Sequence, residues 1–162
     1  MSVSPSASPS VGYADYTRGE YTALPADDTD LTTVYSAGDI ADVAVEDVAW
    51  VTQTATLKYA IHQYKNFAEG TNKCFIEWIG QSSNLTNPVV LQIYNRISPG
   101  WETIDQMPIT YNSIYDTYSS EHAYYGSPGV DVDFRLSASI PDLTNYKDGQ
   151  GVIACRIYQL ET

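Results

Sequence analysis

Lys73-Cys74-Phe75-Ile76-Glu77-Trp78-Ile79 decides the fold class of this chain. Cys74, Ile76 and Trp78 fall on one side of an extended segment and Lys73 and Glu77 on the other, because successive side chains of a strand point to opposite faces. Gly151 to Leu160 repeats the pattern, with Ile153, Cys155 and Ile157 alternating with Arg156. Both segments predict half-buried antiparallel strands. In Pro88–Asn95, Val89, Leu91 and Ile93 oppose Gln92, and Ser98-Pro99-Gly100 then turns the chain into Trp101-Glu102-Thr103-Ile104. That is the pattern of a hairpin with an aromatic anchor. Trp78, Leu91, Ile93, Ile153 and Ile157 are therefore the expected core between two sheets.

Working outward, Asp30–Ser36, Asp47–Gln53, Lys58–Phe67 and Val130–Ser139 also read as strands. The breaks between strands carry turn chemistry: Ala37-Gly38-Asp39, Glu69-Gly70-Thr71-Asn72, Gly80 to Asn87, Ser127-Pro128-Gly129 and Lys147 to Gly151. Helical periodicity is almost absent. The expected fold is all-β, a two-sheet antiparallel sandwich, jelly-roll-like, with an extended N-terminal arm. Residues 1–12 form the arm, residues 13–162 the sandwich, and a Tyr-rich insertion occupies about 107–130.

The 162 residues suit one domain with a substantial core. Twenty acidic residues against eight basic ones give a formal charge of −12, which argues against a nucleic-acid partner and against adsorption to anionic lipid. The imbalance is sharpest before residue 51, where nine acidic residues face Arg18 alone. No stretch reaches the roughly 20 apolar residues that cross a bilayer, and the N-terminus has neither the basic nor the apolar region of a secretory signal. The chain is thus expected to be made in a cytosol and not exported by the general route. Cys74 and Cys155, the two cysteines, sit in apolar strand patterns and read as buried free thiols, with pairing as the alternative. Asn84-Leu85-Thr86 matches the glycosylation acceptor pattern, and without a secretion signal reads as a chance match.

Met1 to Ser10 is a Ser-Pro arm without charge or apolar run. Pro5 and Pro9 fix their own φ and push the preceding residue out of the helical region, so the arm favours extended backbone. It has nothing to bury alone, and a partner outside the domain is expected to hold it. Val3, Pro5, Pro9 and Val11 are the candidate assembly residues.

Val89-Val90-Leu91-Gln92-Ile93-Tyr94-Asn95-Arg96, then Trp101-Glu102-Thr103-Ile104, and later Leu143-Thr144-Asn145-Tyr146-Lys147-Asp148 before Gly151-Val152-Ile153-Ala154-Cys155-Arg156-Ile157-Tyr158, resemble galactose-binding-like jelly-roll domains. The likeness extends upstream through Tyr59-Ala60-Ile61-His62-Gln63-Tyr64-Lys65. The chain is also similar to β-sandwich modules of phage structural proteins and bacterial surface proteins that follow Ser-Pro tracts. The resemblance covers roughly residues 11–106 and 131–160, and its diffuse strand patterns speak to fold more than to function. The chain departs from the family between Met107 and Val130, where Tyr111, Tyr115, Tyr118, Tyr124 and Tyr125 cluster around His122. Tyrosine offers a large contact area at low entropy cost and suits an interaction surface. The alternative is that these rings cap the domain's own core.

Little in the chain favours catalysis. A nucleophile needs a base and an orienting group, and the histidines are His62, read as a locally satisfied strand residue, and His122. Asp131 and Asp133 share one strand face, and Asp27, Asp28 and Asp30 cluster in a loop; both groups read first as solvated acidic edges. The loop Pro25 to Asp30 offers oxygen ligands for calcium without the spacing of a helix-loop-helix calcium site. Lys147 to Gly151 lacks a phosphate-binding glycine pattern and reads as a hairpin-type turn. No catalytic residue, metal or cofactor is assigned. Two functions stay open. The first is a bacteriophage virion structural protein of decoration, fibre or collar type, partnered by copies of itself and a major capsid or tail protein. The second is a carbohydrate-binding or adhesive module of a bacterial cell surface, with the Tyr segment and Trp101 stacking on sugar rings.

Overall fold

The computed structural model describes residues 2–5, 14–44, 50–68, 70–83, 86–107 and 132–161. Among the described residues ten strands and one helix run in the order β1 (Ser2–Pro5), β2 (Ala14–Tyr21), β3 (Thr33–Val34), α1 (Ala37–Val43), β4 (Val51–Thr52), β5 (Tyr59–Phe67), β6 (Cys74–Ser82), β7 (Val90–Asn95), β8 (Gly100–Gln106), β9 (Val132–Ile140) and β10 (Val152–Leu160). They form two antiparallel sheets, one ordered β4-β1-β6-β9 and the other β3-β2-β5-β10-β7-β8. The chain changes sheet at β1 to β2, β3 to β4, β4 to β5, β5 to β6, β6 to β7, β8 to β9 and β9 to β10, and this alternation makes the sandwich jelly-roll-like.

The alternation in β6 and β10 does what the residue types dictate. Ile76, Trp78, Phe134 and Leu136 of the four-stranded sheet pack against Tyr64, Leu91, Ile93, Cys155 and Ile157 of the six-stranded one. The Tyr64 and Trp78 rings, 5.2 Å apart between centroids, join the two sheets. The five expected core residues are all buried. Cys155 is a buried free thiol and Cys74 a half-buried one.

Several expectations are corrected. Ala37-Gly38-Asp39 begins a helix instead of a plain turn: Ser36 accepts from the Asp39 amide while the Asp39 carboxylate accepts from the Ser36 amide, a reciprocal cap that satisfies helix-end donors. Lys147 to Gly151 is a tight turn, closed by Asp148 accepting from the Gln150 and Val152 amides, but it joins strands of different sheets and so is no hairpin. Gly151 takes φ +83°, a conformation that side-chain-bearing residues rarely adopt. The β7–β8 hairpin forms as expected, its turn held by Asn95 accepting from the Ile97 and Ser98 amides.

β1 and β2 are two strands beyond those expected. β1 lies between β4 and β6, with Ser2 opposite Gln81, Val3 opposite Gly80, Ser4 opposite Ile79 and Pro5 opposite Trp78. Over these four residues the arm is extended and its pairing is within its own chain. At the other edge of this sheet, the Asp105 carboxylate of β8 accepts from the Ser137 amide of β9 at 2.8 Å. A side chain thereby takes a donor that an edge strand would otherwise offer to another chain.

Candidate functional site

The outward side of the six-stranded sheet carries the richest polar constellation among the described residues. Strand register places Thr17, Gln63, Arg156, Gln92 and Thr103 in one row across β2, β5, β10, β7 and β8. Alternation predicted this face to meet water. Instead Arg156 is only 3 % exposed, and Thr17, Gln63 and Gln92 are buried with it. The half-buried reading of Gly151–Leu160 is therefore corrected to a strand buried on both faces, and the cause is residues 22–32, the link from β2 to β3.

This link is held chiefly by its backbone carbonyls. Arg156 donates from Nη1 to Pro25 O at 2.7 Å and from Nε to Gln92 Oε1 at 2.8 Å. Trp101 Nε1 donates to Asp27 O at 3.1 Å, and Gln63 Nε2 donates to both Asp28 O and Thr29 O. The Leu31 amide donates to Thr17 Oγ1, and the Thr32 amide donates to the Tyr21 hydroxyl. Gly19 permits the close approach, since a Cβ there would lie 2.8 Å from Thr32 Oγ1 and from the Tyr21 ring. Two ion pairs flank the link, Arg96 to Asp28 at 2.7 Å and Lys65 to Asp30 at 2.6 Å. Asp28 and Asp30, read first as part of a solvated acidic edge, are thus paired with cations. Asp27 instead accepts from the Thr29 hydroxyl and amide, which hold its carboxyl below the usual range.

Beneath the link runs a continuous stack of rings and guanidiniums. Tyr59 meets Tyr158 edge-on at 5.7 Å, and the Arg156 guanidinium lies 5.6 Å from the Tyr158 ring and 4.2 Å from that of Trp101. Trp101 meets Tyr94 at 5.2 Å, and Arg96 sits 5.0 Å over Tyr94. Guanidinium is planar and weakly hydrated, so it tolerates burial against aromatic faces better than ammonium. Burial lowers the Arg156 pKa to about 10, which leaves it charged at neutral pH. Trp101, expected as a free sugar-stacking ring, has Arg156 over its ring.

A second polar group lies on the inward side. The Tyr35 hydroxyl and His62 Nδ1 are 2.5 Å apart, with Arg18 nearby donating to Thr52 O. His62 is thus a buried strand residue whose Nδ1 is partnered by Tyr35. The expected interaction residues Tyr111, Tyr115, Tyr118, Tyr124 and Tyr125, together with His122, Asp131, the side chain of Asp133, and Asn84, lie outside the described residues. So do Pro9 and Val11, while Val3 and Pro5 are on β1. The reading of single strands missed Arg156, Gln63 and Gln92 as a unit. The available signal was a polar residue, Gln63, Gln92 or Arg156, within each of three predicted apolar strands, with an acidic loop elsewhere in the chain.

No group of three or more His, Cys, Asp or Glu residues among the described residues is placed to hold a metal ion. No helix there is long and apolar enough to cross a membrane. No family model, curated protein or solved structure matches the chain.

The buried phenols and thiols predict an alkaline limit. Burial raises the pKa of Tyr16, Tyr35, Tyr64 and Tyr158 above the ordinary 10.0, and lifts Cys155 from 9.0 to about 12. A folded pKa above the unfolded value contributes stability that is complete below the unfolded value and lost as pH rises past it. Arg156 works the opposite way, because its lowered folded pKa makes the unfolded chain bind the extra proton. One group against five leaves a net loss. Urea titrations should show unfolding free energy falling steadily from about pH 9 to about pH 11; a flat or rising profile would contradict the burial of these groups.

Proposed function

We propose that this chain is a non-enzymatic structural protein of a virion, of decoration, fibre or collar type. Its N-terminal arm joins it to neighbouring subunits and its sandwich is displayed outward. The observation that carries this reading is the place of β1: the Ser-Pro arm supplies an interior strand of the four-stranded sheet, between β4 and β6. A strand that joins the rest of the domain only through residues 6–13 is an element a fold can share with another subunit by strand addition. The formal charge of −12 suits a body that faces solvent and resists non-specific association, and the resemblance to jelly-roll modules of phage structural proteins points the same way.

A second reading is a carbohydrate-binding or adhesive module of a bacterial cell surface, and the resemblance to galactose-binding-like jelly-roll domains favours it. One experiment separates the two. The chain lacking Ser2–Ser10 should retain its sandwich by circular dichroism, melt somewhat lower, and lose co-purification with large particles that the intact chain keeps. Unchanged association of the truncated chain would overturn the first reading, and selective retention of both forms on a glycan array would favour the second.

A further inference from the structure

We infer that β1 is an exchangeable strand, and that its slot between β4 and β6 receives the same strand from a second copy of this chain; this names the partner of the arm and rests on the assembly reading above. The slot has two walls. β6 offers the edge from Trp78 to Gln81, and β4 offers Val51 and Thr52. The opposite edge of β6 is filled by β9 along its whole length, from Cys74 to Ser82. Among the described residues β4 pairs with β1 alone, so an empty slot would leave both walls short of a partner.

Antiparallel pairing satisfies backbone groups identically whether the strand comes from its own chain or from a neighbour. The choice therefore depends on the connector and on concentration. Residues 6–13 read Ser-Ala-Ser-Pro-Ser-Val-Gly-Tyr, and eight residues reach at most about 26–29 Å. A link of eight residues holds a strand near its own slot at an effective concentration of order mM. Dilute chains should therefore keep β1 at home, while copies crowded in an assembly present neighbouring slots at comparable concentration. The charge of −12 on each copy opposes approach, so added salt should promote exchange.

The test uses Ser2→Cys and Gln81→Cys, whose Cα atoms are direct partners in the register; facing antiparallel pairs lie about 4.5–5.5 Å apart, within disulfide range. Full-length chains carrying one substitution each are mixed, concentrated and mildly oxidised, and non-reducing electrophoresis with peptide mapping locates the bond. The expected result is a heterodimer linked between positions 2 and 81, increasing with protein concentration and with salt. The double variant S2C/Q81C should close within single chains when dilute. If the double variant closes internally and the mixed chains never link at these positions, β1 stays in its own chain and exchange is wrong. If neither links, the β1–β6 pairing itself is wrong and the proposal falls with it. Loss of assembly on deleting Ser2–Ser10 without any 2–81 heterodimer would leave the assembly reading standing and overturn exchange alone.

Discussion

Replacing Leu91 by alanine should cost about 2–5 kcal/mol of folding stability, from lost transfer energy and the cavity left behind. Leu91 lies on the inward side of β7, fully buried, opposite Ile157 of β10 and Asp105 of β8. It belongs to the cluster formed with Trp78, Leu136 and Ile93. Strands from two sheets frame the site, so neighbouring backbone cannot collapse into the vacated space without disturbing a ladder on either side. A urea titration measures the effect, and a loss under about 0.5 kcal/mol would mean that the assigned face is wrong. Val34→Ala is the control, since Val34 is 69 % exposed and surface substitutions usually fall within about 0.5 kcal/mol.

Arg156→Met should cost about 2–3 kcal/mol, although methionine fills much of the stem volume and needs no desolvation of a charge. Removing the guanidinium leaves Pro25 O and Gln92 Oε1 without their charged donor, and hydrogen bonds to charged groups are worth about 1.5–3 kcal/mol each. The stack on Trp101 goes as well. Relief of burying a cation offsets part of the loss, which keeps the net below the sum. Because Pro25 lies within the link from β2 to β3, the damage should be local: limited proteolysis should cut residues 22–32 faster, and Trp101 fluorescence should shift. Arg156→Lys should show the same opening, since a single ammonium cannot hold two acceptors and a ring face together. Wild-type stability and wild-type cleavage in Arg156→Met would show that the link is held by its ion pairs instead.

The periodicity of Cys74, Ile76 and Trp78, and of Ile153, Cys155 and Ile157, was enough to identify inward faces, because a period of two is a local property of extended backbone. Ser98-Pro99-Gly100 and Asp148 to Gly151 were equally legible, since turn residues act within four positions. The helix from Ala37 to Val43 was missed although Ser36 and Asp39 spell its cap; seven residues show too little of a 3.6-residue period to outweigh a glycine at position 38.

What the sequence by itself determined is the all-β class, the core faces of β6, β7 and β10, the acidic character and the turns at Ser98-Pro99-Gly100 and Lys147 to Gly151, whereas the break expected from Gly80 to Asn87 is still strand β6 as far as Ser82. Tertiary structure alone decided that Ser2–Pro5 enters a sheet between β4 and β6, because pairing depends on the edges that the rest of the fold leaves open. It also decided that the polar row of Gln63, Gln92 and Arg156 is a second buried layer. Arg156 and Pro25 are 131 positions apart. No local pattern relates such residues; only the folded sheets bring the carbonyls of residues 22–32 over a buried cation that needs them.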